Sequence, residues 1–160
     1  MKKIFVGKIT GAFGIKGELK VLSHFEIPEK VFLKDQLLYL NNEEHLITKV
    51  RYHKNKYLIE IDNLNDINLV NQYRNCDIYI DYNKLNLKED EYLYEELINL
   101  NVYNENKLIG QVTEVINDNK DNILIKVNNQ FYIPLKSNYI AQIKIKENKI
   151  IGKNLEELIL

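Results

Sequence analysis

Three glycines spaced three residues apart are the feature of this sequence that most suggests chemistry. Gly11, Gly14 and Gly17 lie in the string VGKITGAFGIKGELKV, which runs from residue 6 to residue 21. A phosphate loop needs four residues between its glycines followed by Lys and Ser or Thr, and a dinucleotide fingerprint needs G-x-G-x-x-G opening a helix. The residues after Gly17 alternate as a strand does, so no helix N-terminus follows to hold a phosphate. We therefore interpret the glycines as a structural motif, a bent connection at a barrel corner, in preference to a nucleotide site.

Three lysines accompany the glycines and form the second candidate site. Lys8, Lys16 and Lys20 fall within or beside the same string, where they could face the phosphates of an RNA. Lysines on a solvated surface would give the same pattern, and the residue types do not separate the two interpretations.

The other residue types that carry out chemistry are scattered. His24, His45 and His53 lack the close or i, i+4 spacing of metal ligands. Acidic pairs occur as adjacent residues, whose side chains point apart in either regular structure and cannot work as an acid and a base together. Cys76 has no histidine near it in sequence that would activate a thiol. We therefore expect no catalytic residue, no metal and no cofactor, and we predict that the protein is not an enzyme.

An aromatic segment, Tyr92, Leu93 and Tyr94, follows three acidic residues. Clustered aromatic side chains serve either as core or as the anchors that dominate protein–protein interfaces. The residue types alone favour the core.

The elements that must position these residues are mostly strands. Short runs of β-branched and aromatic residues alternate with polar ones and end in Asn, Gly, Asp or Lys. Asn tolerates the left-handed backbone of a tight turn, which predicts antiparallel hairpins around Asn55, Asn128-Asn129 and Asn148. The predicted hairpins pair residues 46–52 with 57–62, 122–127 with 130–133, and 143–145 with 150–151.

Helix signals are few. Asn65 or Asp66 could cap a short helix that begins near Ile67, and Asn154 could cap a second one at the C-terminal end. The polar segment at residues 84–91 reads as a linker between two small domains. The prediction is an all-β fold of two small barrels with few short helices.

Composition and charge narrow the class of protein. The 160 residues are 45% hydrophobic, and no apolar run approaches the roughly 18 residues that span a bilayer. The N-terminus has no signal-peptide pattern and the chain has a single cysteine, so we expect a cytoplasmic protein with no membrane contact. Residues 1–34 hold seven Lys against three Glu, whereas residues 84–160 hold ten Lys against twelve Asp or Glu. Any RNA contact should therefore be limited and N-terminal.

Taken in order, several segments resemble the RimM family of ribosome maturation factors. The string at residues 6–21 is similar to the opening motif of that family, which ends in glycine, isoleucine, a basic residue, glycine and glutamate. Asp90-Glu91-Tyr92 resembles the start of the second family domain. Residues 108–112, 121–124 and 132–135 then follow in family order, so the resemblance covers essentially the whole chain.

The resemblance implies a fold and a division into domains. It implies a six-stranded barrel of the translation-factor type at residues 1–83, a linker at 84–91 and a PRC-barrel domain at 92–160.

The resemblance also implies a function without catalysis. The protein would bind the immature small ribosomal subunit as a monomer, chiefly through the ribosomal protein numbered nineteen of that subunit, and assist head assembly and 16S rRNA processing. An alternative is an RNA-binding barrel that recognises structured RNA through its basic N-terminal surface.

The family patch for partner binding maps onto the aromatic segment. Tyr92 carries over directly, Leu93 only by position, and Tyr94 as a compensating aromatic. Phe13 departs from the family, which usually has His there.

Overall fold

The computed structural model describes residues 1–118 and 122–159. Asp121, part of the motif at 121–124, and residue 160, the last of the predicted second domain, lie outside that range. The chain divides into two compact units, Met1–Asn86 and Leu87–Leu160. The linker at residues 84–91 stays a prediction. Across the described residues, no helix has the length and apolarity needed to cross a membrane.

The N-terminal unit is a closed six-stranded barrel, as predicted. Its strands follow the order β1-β2-β5-β4-β3-β6, and every neighbouring pair is antiparallel. Strand side chains alternate between the barrel interior and the outer face, as the pleat requires. The strands are β1 Lys3–Phe13, β2 Glu18–Leu22, β3 Leu37–Leu40, β4 Glu43–His53, β5 Lys56–Ile61 and β6 Asp77–Asp81.

Aliphatic side chains fill the barrel interior, and their burial stabilises the closed barrel. At about 25 cal/mol per Å² of apolar surface removed from water, such residues contribute roughly 1.5–3 kcal/mol each on burial. Those that are less than 2% exposed include Val6, Ile9, Leu19, Leu38, Leu40, Ile47, Ile59, Ile61, Ile78 and Ile80.

The predicted hairpin around Asn55 is confirmed. Strands β4 and β5 pair antiparallel up to His53 opposite Lys56. Lys54 and Asn55 between them have φ angles of 48° and 64°, the left-handed pair that a two-residue turn between right-twisted strands requires.

The predicted helix near Ile67 is also confirmed, as one short turn. Helix α1 spans Ile67–Val70, and Asp66 caps it by accepting a 2.9 Å bond from the backbone N–H of Asn68. A 3₁₀ turn, Asn71–Tyr73, continues the helix, and Val70 and Tyr73 are its buried residues.

The C-terminal unit is a six-stranded sheet in the order β10-β9-β8-β7-β12-β11. Most neighbours are antiparallel, but β12 pairs with β7 in parallel. Sequence reasoning expected antiparallel pairs only, because it considered local hairpins, whereas a parallel pair needs a long crossover, here through the intervening strands. The strands are β7 Asn101–Asn104, β8 Lys107–Asn117, β9 Ile123–Val127, β10 Phe131–Pro134, β11 Ile140–Lys144 and β12 Lys149–Gly152.

Both predicted C-terminal hairpins are confirmed. Asn128 and Asn129 turn β9 into β10 with φ angles of 52° and 57°, and Asn148, at 57°, precedes β12. The predicted terminal helix is only a 3₁₀ turn, Leu155–Glu157. Asn154 does not cap it with its side chain, because its own backbone is left-handed at φ 55°.

Candidate functional site

The aromatic segment lies at the entrance to a 3₁₀ turn of the C-terminal unit, Tyr94–Leu97. The Glu96 carboxylate accepts a 2.7 Å bond from the backbone N–H of Leu93, and the backbone N–H of Glu96 donates a 2.9 Å bond to the Leu93 carbonyl. This reciprocal pair of bonds satisfies donors that the start of a helical turn otherwise leaves free. The backbone of the segment is therefore held in one conformation.

The three side chains of the segment have different environments. Leu93 is 1% exposed, so its side chain serves packing rather than offering surface. Tyr92 and Tyr94 are half-buried and pack against the core of the C-terminal unit, which includes Leu97. Burial raises the pKa of the Tyr92 phenol, with a smaller contribution from Tyr94. Each tyrosine therefore packs against the core of this unit while remaining partly exposed.

The glycine motif forms the β1–β2 connection. Gly14 and Gly17 have φ angles of 75° and 73°, in the left-handed region that side chains with a Cβ disfavour. A Cβ on Gly17 would lie 2.9 Å from the backbone carbonyl carbon of Asp66. The backbone N–H of Ile67 donates a 3.1 Å bond to the Ile15 carbonyl. The turn is therefore fixed against the start of α1. Gly11, at φ 156°, lies in β1 where the pairing with β2 shifts register.

The three lysines lie on the β1–β2 hairpin. Lys8 pairs with Leu22, and Lys20 pairs with Gly11, so the two lysines occupy nearby positions of adjacent strands. Lys8 is exposed, Lys20 is half-buried, and Lys16 is exposed in the turn. The three lysines thus share one hairpin, with Lys8 and Lys16 at opposite ends of its paired segment.

An ion pair that sequence reasoning missed joins the same hairpin to β4. Arg51 donates from Nε and Nη2 to the two carboxylate oxygens of Glu18, at 2.7 Å each. The Arg51 guanidinium also stacks 5.4 Å from the centre of the Phe13 ring. No local signal could have revealed the pair, because the residues stand 33 positions apart and meet only through barrel closure. The hydrogen bonds from Arg51 hold the pKa of Glu18 below its usual range.

A pH-dependent stability follows from this pair. A carboxyl whose pKa is lower in the folded state stabilises the fold above the unfolded pKa, and the contribution is lost as pH falls through the folded pKa. We expect the free energy of unfolding, measured with urea at pH 7, to be larger for wild type than for Glu18→Gln. This difference should shrink as the pH is lowered below about 4.5. A difference that stays constant down to pH 3 would contradict this role for Glu18.

His45 and Cys76 take structural positions. His45 is buried, its Nδ1 is 2.6 Å from Asp62 Oδ2, and its ring meets Tyr73 edge-on at 5.0 Å. Cys76 is a buried free thiol. Within residues 1–118 and 122–159, no three His, Cys, Asp or Glu side chains gather where a metal ion could bind.

Both units match models of known protein families. Residues 4–85 match the family model of the RimM N-terminal domain, and residues 89–159 match that of the PRC-barrel domain.

Individual relatives match most of the length of the chain. A ribosome maturation factor RimM from Staphylococcus haemolyticus is 30% identical over 157 residues, covering 93% of this chain and 93% of that protein. One from Buchnera aphidicola subsp. Schizaphis graminum is 35% identical over 146 residues, covering 89% and 81%. The crystal structure of a 16S ribosomal RNA processing protein RimM from Pseudomonas aeruginosa is 17% identical with a TM-score of 0.44, covering 95% of this chain and 97% of that one.

Proposed function

This chain belongs to the RimM family of ribosome maturation factors, and we propose that it acts by binding the immature small ribosomal subunit through a protein of the subunit head. The bound factor assists assembly of the head and processing of the 16S rRNA. The work is done by binding rather than by making or breaking bonds. Binding energy favours a competent arrangement of the partly assembled head, and mature contacts later replace the factor.

The observation that carries the proposal is the seating of the aromatic segment. Tyr92 and Tyr94 are half-buried against the core, whereas Leu93 between them in sequence is fully buried. Tyrosine is enriched among residues that dominate interface energetics, because a rigid ring buries much area for little loss of side-chain entropy. A segment already fixed by the bonds of Glu96 loses little further freedom on binding.

The charge beside the tyrosines suits a ribosomal protein as the partner. Residues 89–96 carry five acidic side chains and no basic one. A protein that itself binds rRNA needs a positive surface, and a negative segment attracts such a surface. Glu89 pairs with Lys146 at 3.4 Å, but both side chains are at least 80% exposed. This pair therefore contributes little to stability and neutralises little of the negative charge of the segment. We propose the ribosomal protein numbered nineteen of the small subunit as the partner.

A second candidate function is recognition of structured rRNA by the β1–β2 hairpin. Glu18, the acid in this hairpin, is neutralised by the fork of Arg51, which leaves the charges of Lys8, Lys16 and Lys20 available for phosphates. This contact would accompany protein binding in the maturing subunit or replace it as the main interaction.

Co-sedimentation tests the proposal. We expect the purified protein to sediment with free small subunits and to bind full ribosomes far more weakly. Removal of Lys8, Lys16 and Lys20 together should change binding little if the protein partner dominates. Equal binding to both particles, or to neither, would contradict the main proposal. A steep salt dependence that the lysine variant abolishes would favour the second candidate.

A further inference from the structure

Three aromatic side chains form a row across the outer face of the N-terminal barrel. Phe5 on β1 pairs directly with Tyr79 on β6, and Tyr79 pairs with Tyr39 on β3. Neighbouring strands lie about 4.8 Å apart, so the row extends roughly 10 Å across three strands. Phe5 is 54% exposed and Tyr79 36%. We call Phe5, Tyr79 and Tyr39 the aromatic row.

The rings of the row are ordered by their own contacts. Phe5 and Tyr79 meet edge to face, with ring centres 5.7 Å apart and an interplanar angle of 68°. Lys3 lies 4.4 Å from the centre of the Tyr39 ring. Edge-to-face packing fixes both rings and prevents them from covering each other face to face. The row is therefore a preformed platform rather than loose apolar side chains.

Two open cavities adjoin the row. One, of about 390 Å³, lies beside Phe5 and includes Leu22 and Phe25 in its lining. The other, of about 650 Å³, includes Tyr79 in its lining. The side chains of Asn41, Asn42 and Asn75 have no hydrogen-bond partner among the described residues. The polar groups of the larger cavity include the amides of Asn41, Asn42, Gln72 and Asn75 and the cations Lys3 and Arg74.

From this arrangement we propose that the aromatic row binds unpaired bases of single-stranded RNA. Bases stack on exposed aromatic side chains of a sheet, and Phe5 and Tyr79, the exposed members of the row, would each take one base. Side-chain amides offer the donors and acceptors that pair with base edges, and Arg74, which forms no ion pair among the described residues, can meet a phosphate. The inference does not depend on the protein partner proposed above, because the row lies in the other unit.

Charge identifies stacking as the main source of affinity. The charged groups lining the two cavities are Lys3, Lys8 and Arg74 against Glu26 and Asp77, one positive charge in net. A strongly basic RNA site would carry a larger excess. We therefore expect a shallow salt dependence, with a slope of log affinity against log salt of about 1, in keeping with roughly 0.7 per phosphate contact on a single strand.

Fluorescence anisotropy with a labelled eight-nucleotide single-stranded oligouridylate, and with a blunt RNA duplex of eight base pairs, tests the inference. We expect the full chain to bind the single strand more tightly than the duplex, which has no unpaired base. Phe5→Ala should weaken single-strand binding about 5- to 100-fold, the range for loss of one stacked base. Phe5→Trp, which keeps a stacking ring, should bind at least as well as wild type.

Tyr132→Ala provides the matched control. Tyr132 is also an exposed aromatic with a lysine near its ring, Lys126 at 5.4 Å, but it lies on β10 of the other unit. Its loss should leave RNA affinity unchanged. Thermal unfolding should show all three variants folded, because the replaced side chains are largely outside the core. Equal affinity for the single strand and the duplex, an unaffected Phe5→Ala, or a failure of wild type to bind the single strand would each overturn the inference. Loss of small-subunit binding in Phe5→Ala without any RNA affinity would instead assign the row to a protein.

Discussion

Gly17→Ala is expected to destabilise the N-terminal barrel by about 3 kcal/mol, enough to remove a large part of the stability of a small domain. Two costs combine. Alanine at a φ of 73° adopts the left-handed backbone at roughly 1–2 kcal/mol. The new Cβ also meets the backbone of Asp66 at 2.9 Å and a methyl of Val70 at 3.0 Å. Backbone cannot rotate away, so α1 or the turn must shift.

Gly14→Ala separates the two costs. Gly14 has nearly the same φ, 75°, yet nothing lies within 4 Å of where its Cβ would be. It should lose only the backbone contribution, about 1 kcal/mol, partly offset because alanine also restricts the unfolded chain. Urea unfolding followed by circular dichroism measures both variants. Equal losses at the two positions would mean that contact between the turn and α1 contributes nothing, and that the motif does not fix the helix.

Local patterns explain how much of the fold the sequence predicted. The hairpin around Asn55 and the two C-terminal hairpins depend on strand alternation and on asparagines that accept a left-handed backbone, and both signals lie within a few residues. The short helix at Ile67 was found for the same reason, since its cap, Asp66, directly precedes it.

Features that depend on register between distant strands could not be predicted. The fork between Arg51 and Glu18 requires β2, β5 and β4 to be neighbours in a particular alignment. The parallel pairing of β12 with β7 and the row that joins Phe5 to Tyr79 likewise depend on crossovers. A one-residue slip would turn Phe5 inward, so its exposure is decided by register alone.

The candidate site was predicted only as a choice between two environments. Residue types placed Tyr92, Leu93 and Tyr94 either in the core or at an interface. The structure buries Leu93 and leaves the two tyrosines half-buried. Alternation along a segment could have suggested this, but a short turn lacks a period long enough to assign faces.

Replacing both tyrosines, Tyr92→Ala with Tyr94→Ala, is expected to weaken binding to the free small subunit by about 2–4 kcal/mol, roughly 30- to 1,000-fold. Each ring alone should contribute about 1–3 kcal/mol, and neighbouring anchors need not add. Co-sedimentation across a range of subunit concentrations measures the loss. Tyr92→Phe keeps the ring and should bind within a few-fold of wild type, unless the phenol itself donates to the partner.

Leu93→Ala distinguishes an anchor from a side chain that supports the segment. Because Leu93 is buried, its truncation should cost about 2–5 kcal/mol of folding stability, whereas the tyrosine variant should lose affinity with a smaller loss of stability. The two effects separate when binding is measured at low temperature, where Leu93→Ala remains folded. Nearly full affinity for folded Leu93→Ala, together with the large loss for the tyrosine pair, would assign recognition to the rings. If the tyrosine pair binds as wild type does, the aromatic segment is part of the core alone, and the partner must bind elsewhere on the chain.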